Sequence, residues 1–236
     1  MTQETALKQL QLLQLADSAL PIGATAHSFG LETLIVEGGL TVPQLTTVFQ
    51  DYLLEVAPPE ALFCRAAYRL GSLTAEADFA AAWEGLNARL SALKLAQESR
   101  TASATLGKRF LQLVCSLRAE LRLAAALRLG ATDGVDLHHA TAFGLVGWGL
   151  EIEEEATVTA YLQQGLGGLI SACQRLMPLG QRQAAQLAWQ LKPSLIAAAQ
   201  LGQSGDLEGP AAYSGATLLD VAGMRHPHLV TRLFIS

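Results

Sequence analysis

Apolar side chains along this chain recur at intervals of three and four residues, a pattern that a helix can bury along one face and a strand cannot. Phe79, Trp83, Leu86, Leu90 and Leu93 follow at spacings of four, three, four and three, which places all five on one helical stripe. Leu106, Phe110, Leu113, Leu117 and Leu121 make a second stripe, with Lys108, Arg109, Gln112 and Arg118 between them as a wet face. Both stripes are expected to face a core. No alternation of apolar and polar residues competes for a strand. Half of the 236 residues are hydrophobic and 16% are charged, against about 25% charged in an ordinary soluble domain. The surplus calls for a large core or for surface reserved for partners.

The same spacing predicts helices over 5–15, 43–56, 60–70, 137–150, 156–176 and 180–200, and the Ala- and Leu-rich run 117–129 adds another. Gly130 with Asp133-Gly134 reads as a stop followed by a turn. Pro58-Pro59 marks a break between two helices, and Pro193 either kinks its helix or starts a new segment. The expectation is an all-α, single-domain, compact helical bundle of about eight to ten helices. Its body spans 1–200, a flexible Gly, Ser, Asp and Pro loop spans 201–215, and a tail of the same domain spans 216–236.

That tail is apolar to its end, with Leu233-Phe234-Ile235 just before Ser236. Each such side chain gains about 1.5 to 3 kcal/mol on full burial, so the tail needs a surface. The surface is either the chain's own body, by folding back, or another protein, reached by swinging on the loop.

The net charge of -5 argues against nucleic acid, which needs a basic face. Three dispersed cysteines, Cys64, Cys115 and Cys173, offer neither a disulfide framework nor a metal knuckle. The start, Met1-Thr2-Gln3-Glu4, carries no basic n-region before an apolar core, and the most apolar stretch, 140–150, falls short of the roughly 20 residues of a membrane span. A soluble, cytoplasmic chain is expected, with no membrane partner. There is no G-x-x-x-x-G-K-S/T loop and no G-x-S-x-G elbow, so an enzyme is not expected. The glycines of 144–149 suit close helix packing better than a nucleotide fingerprint. His138-His139 point about 100° apart on a helix and read as helix-start hydrogen bonding and packing. His226 and His228 are the weak metal candidates, since imidazoles suit nickel or zinc but no third ligand is in view. Glu151, Glu153, Glu154 and Glu155 form an acidic knot that suits the start of the helix following it, with an acidic docking or cation site as the alternative.

Leu-Ala-Asp-Ser-Ala-Leu-Pro-Ile-Gly at 15–23 and His-Ser-Phe-Gly-Leu-Glu at 27–32 resemble the N-terminal signature of the urease accessory protein F (UreF-like) family. Met224-Arg225-His226 with Arg232-Leu233-Phe234 resembles its C-terminal signature. Glu98-Ser99-Arg100, the run 107–111, the run 142–146 and Arg175-Leu176-Met177-Pro178-Leu179-Gly180-Gln181 fall between them in the family's order. The resemblance implies an all-α, non-catalytic, chaperone-like factor of urease maturation. It implies a homodimer that bridges accessory protein D (also called H) and the GTPase G, so that the complex inserts nickel into apo-urease. No cofactor is bound tightly, and nickel is handled by the complex. By the same resemblance Met224, Arg225, His226, Arg232, Leu233 and Phe234 are candidates for holding the D/H protein. Pro21, Gly23, Ser28, Gly30 and Glu32 are candidates for shaping the surface shared with the GTPase. Gln181, with Pro178 and Gly180, is either a further partner contact or part of a structural turn. Thr25 stands where the family commonly has an aromatic residue, and Pro227 where it has an acidic one. The alternative function is a direct nickel carrier using His226 and His228. Truncation after Gly215 is expected to abolish D/H binding and spare the helical body.

Overall fold

A computed structural model describes residues 2–132, 134–204, 206–209, 212–213 and 217–236. Among these are twelve α-helices and no strand: α1 (Gln3–Leu15), α2 (Leu31–Val36), α3 (Leu45–Glu55), α4 (Ala57–Leu70), α5 (Glu76–Leu93), α6 (Gln97–Leu117), α7 (Leu121–Thr132), α8 (His139–Gly149), α9 (Glu154–Leu176), α10 (Gln181–Gln190), α11 (Lys192–Leu201) and α12 (Thr217–Arg225). The all-α expectation holds, while eight to ten helices was too few. The segment 180–200 is two helices, because Pro193 sits in the first turn of α11, where a missing N–H costs nothing. The six residues of α2 and the nine of α12 are too short to show a period by themselves. Residues 205, 210, 211 and 214–216 of the expected loop and tail, and Asp133 of the expected turn, lie outside the described residues.

Helix α8 runs through the centre and is buried nearly all round, from Ala140 to Gly147. That burial explains why its sequence is apolar without an amphipathic period. It packs against α4, α6 and α9. Gly144 allows the closest approach, since a Cβ there would lie 1.9 Å from the Cys64 carbonyl oxygen of α4. Phe110 of α6 stacks on Phe143 at 5.1 Å, and the His139 and Tyr161 rings complete the cluster.

The stripe on α5 is buried as expected through Phe79, Trp83, Leu86 and Leu90, with Leu93 packed at its edge. The second stripe is corrected at its far end: Leu117 and Leu121 are exposed. Leu117 is the last residue of α6 and Arg118 after it is extended, so spacing carried across that break says nothing about where Leu121 faces. The buried face of α6 is instead Ala102, Ser103, Leu106, Gly107, Phe110, Leu111 and Val114. The break near Pro58-Pro59 falls at Val56, with both prolines in the first turn of α4.

The acidic knot starts α9, as its composition suggested. Glu153 caps the helix by accepting from the Glu155 and Ala156 amides. Its neighbours do something the local sequence could not show. Arg65, buried at 1% exposure, donates to Glu154 Oε1 at 2.7 Å and to Glu155 Oε1 at 2.6 Å, and also reaches the Ala199 carbonyl. One guanidinium therefore ties α4, α9 and α11 together. His138 caps α8 in extended geometry, its amide donating to Asn87 Oδ1 at 3.0 Å. The three cysteines are free; burial pushes the Cys173 thiol up to about 12.

Candidate functional site: the clamp joining the two signatures

The segment between α1 and α2 is a series of tight turns. Asp17 Oδ1 accepts the Ala19 amide at 2.8 Å, and Gly23 sits at φ 87° with Arg109 of α6 against it. Gly30, at φ 90°, is where the chain turns into α2. Only glycine adopts this region freely, and a Cβ at Gly30 would lie 2.7 Å from the Leu219 carbonyl oxygen of α12. The turn thus does two things: it seats α12 against α2, and it sends Glu32 inward.

The tail folds back onto the body. After α12, a short 3-10 turn (His226–His228) buries His226 completely. Its Nε2 lies 2.8 Å from Glu32 Oε2 of α2, and its Nδ1 lies 2.6 Å from Glu98 Oε2 of α6. Glu32 also accepts the amides of Leu233 at 2.5 Å and Phe234 at 3.1 Å, while Arg232 donates to Glu98 Oε1 at 3.1 Å. Phe234 is buried, with the Arg175 guanidinium 4.3 Å over its ring. The last residues pair with the N-terminal turn: the Ile235 amide donates to the Ala26 carbonyl at 2.9 Å, and the Ser28 amide to the main-chain oxygen of Ser236 at 2.5 Å. His27 Nδ1 and Ser236 Oγ are 2.8 Å apart.

Glu32 is the electrostatic centre of this clamp. Burial opposes its ionisation, but the bonds from His226 and the two tail amides outweigh that and hold its carboxyl below the ordinary 4.5. An imidazole facing carboxylates through both nitrogens can donate to both only as the imidazolium. The adjoining Arg225 pairs with Glu37 at 2.9 Å.

The structure sorts the sequence candidates into two sets. Ser28, Gly30, Glu32, His226 and Phe234 are buried and meet in the clamp, and Arg232 reaches into it from the surface. Met224, Arg225 and Leu233 lie beside it with their side chains exposed. Pro21 is exposed on the turn. Gln181 stands apart, at the exposed first position of α10, where Gly180 donates its amide to Gln183 Oε1. His226 and His228 do not share a site, since both His226 nitrogens face carboxylates and His228 is exposed. Among the described residues no group of three or more His, Cys, Asp or Glu could hold a metal ion.

Glu98 and Arg175 were missed as site residues, although both lie in the ordered internal matches. Neither departure disturbs the clamp. Arg175 bonds the carbonyl, not the side chain, of Thr25 at 2.6 Å, and Pro227 occupies the first turn of the 3-10 segment, where its amide would have no partner.

A UreF family model matches residues 42–192. The urease accessory protein UreF of Lachnoclostridium phytofermentans is 33% identical over 229 residues, covering 96% of this chain and 98% of the relative. Its counterpart from Nostoc sp. is 33% identical over 96% of this chain and 95% of its own length. That from Geobacillus kaustophilus is 31% identical over 96% and 97%. With the helical body and its clamped tail, these likenesses define the class: a non-catalytic accessory factor of urease maturation. The chain belongs to the UreF family.

Proposed function

We propose that the protein serves urease maturation as an adaptor, using the face around its clamped tail to hold the D/H accessory protein while another part of the chain engages the GTPase G. One observation carries this reading. Beside the clamp, Leu218, Val221 and Met224 lie exposed at i, i+3 and i+6 of α12, and Leu233, Ile235 and Val230 of the tail are exposed as well. Exposed apolar side chains on these two neighbouring segments are what a partner-binding face requires. Burial alternates along the last residues, with Phe234 and Ser236 in and Leu233 and Ile235 out, so one strap both anchors itself and offers an outer edge. Arg225 supplies a planar, permanently charged fork at its rim.

In this reading the buried clamp shapes the surface and the exposed side chains make the contacts. Pro21 and Gln181, both exposed, are the remaining contact candidates, toward the GTPase or a second copy in a homodimer. Nickel is the cargo of the whole complex, delivered to apo-urease, and this chain carries no tightly bound cofactor. In this reading the work is done in the cytoplasm; no helix among the described residues is long and apolar enough to cross a membrane.

The test is co-purification of the D/H protein and the GTPase with the wild type and with a Met224→Glu, Leu233→Glu variant. Both side chains are exposed, so the variant should keep its melting temperature, lose D/H capture and fail to support urease activation. Undiminished capture by a folded variant would refute the assignment.

A further inference from the structure

Both ring nitrogens of His226 face carboxylates, Nε2 with Glu32 Oε2 at 2.8 Å and Nδ1 with Glu98 Oε2 at 2.6 Å. A neutral imidazole has one donor and one acceptor, so it would present a lone pair to one of those carboxylates. The geometry points to a proton latch: the tail is docked while His226 is the imidazolium, and loss of that proton releases residues 229–236 from the body. The latch belongs to the chain alone, and its test needs no partner.

The charged surroundings are defined. Glu32 comes from α2 and Glu37 from the residue that ends it, with Glu37 paired to Arg225. Glu98 comes from α6 and is bridged to the tail by Arg232. His27 faces the other end of the tail through Ser236; burial, and then the charge of Arg109, hold it below its ordinary 6.5. Above pH 6.5 His27 is therefore neutral and Glu32 ionised, so neither of them changes charge over the range in which the tail is tested. Opening that gives up one proton becomes easier by up to about tenfold per pH unit.

The experiment is hydrogen exchange of the full chain between pH 6.5 and 9, with tail rates divided by the unstructured-peptide rate at each pH. In the wild type, protection of residues 229–236 should fall as pH rises while that of α8 stays level. In Glu98→Gln the new amide can donate to Nδ1 and its carbonyl can still accept from Arg232, so a neutral His226 satisfies both sides. That variant should keep its tail protected with a flat profile. A flat wild-type profile, a Glu98→Gln profile as steep as the wild type, or a Glu98→Gln tail unprotected at every pH would each overturn the latch.

Discussion

Removing the Glu32 carboxylate should free the tail and leave the helical body folded. In Glu32→Ala the His226 ring loses its 2.8 Å partner, and the Leu233 and Phe234 amides lose theirs at 2.5 and 3.1 Å. Breaking a buried charged pair by deleting one member costs about 3–5 kcal/mol, because the other is left without compensation. At about 1.4 kcal/mol per decade, tail opening becomes easier by about two to four decades. A domain's whole stability is about 5–15 kcal/mol. The cheaper response is therefore local: residues 229–236 detach and His226 reaches water.

Exchange mass spectrometry at pH 7 separates the two outcomes by comparing tail peptides with those of α8 and α9. Tail protection should fall by about a hundredfold or more, by the same conversion, with α8 and α9 unchanged. Glu32→Gln keeps an acceptor oxygen for the tail amides and should lose less. The carboxyl's lowered pKa adds an acid signature. Its contribution is fully present above the ordinary 4.5 and is lost as pH falls below that value. Tail protection unchanged in Glu32→Ala, or an equal loss in tail and α8, would refute the argument.

Two other predictions concern the core. Burial pushes both His138 and His139 down to about 4, from an ordinary 6.5. Their contribution is complete above 6.5 and is lost as pH falls toward 4, by up to about 3 kcal/mol each. Urea midpoints measured from pH 7 to 4 should show this loss, and His139→Phe, whose ring fits among Phe110, Phe143 and Tyr161, should show less of it; a variant as acid-sensitive as the wild type would sink the idea. Gly144→Ala should lower the melting temperature despite alanine's better helix propensity, because its Cβ meets the Cys64 carbonyl at 1.9 Å. Gly167→Ala in α9 meets nothing within 4 Å and should stabilise by about 0.5–1 kcal/mol; calorimetry giving both changes the same sign would contradict the packing account.

What could be read from the sequence was what repeats locally. The stripe from Phe79 to Leu90 needs only its own spacing to be recognised, and it is buried as read. The second stripe failed at Leu121 because a period carries no information across the extended residue Arg118, and at Leu117 because that residue is the exposed last position of α6. The acidic knot was legible as a helix start, but its pairing with Arg65 joins residues 89 and 90 positions apart, beyond any local pattern. The clamp is the extreme case, since Glu32 and His226 are separated by 194 residues. Both residues stood out in their signatures, yet nothing in either stretch says that they touch. The docking of the tail is set by tertiary packing, and local reading ends where packing begins.

The contact between the signatures also changes what a truncation can prove. Cutting after Gly215 would remove exposed Met224 and Leu233, but with them His226, Phe234 and Ala222, all buried. Glu32 would then keep its position beneath the missing tail without the imidazole and amides that hold its carboxyl ionised. Lost partner binding in such a chain would have two causes, an absent contact surface and a disturbed N-terminal turn, and the turn carries the exposed Pro21. Substitutions confined to the outward side chains separate these causes, because they leave Glu32, Glu98 and His226 as they are. The two signatures act as one structural unit, whose inward residues are tested by tail protection and whose outward residues are tested by capture of a partner.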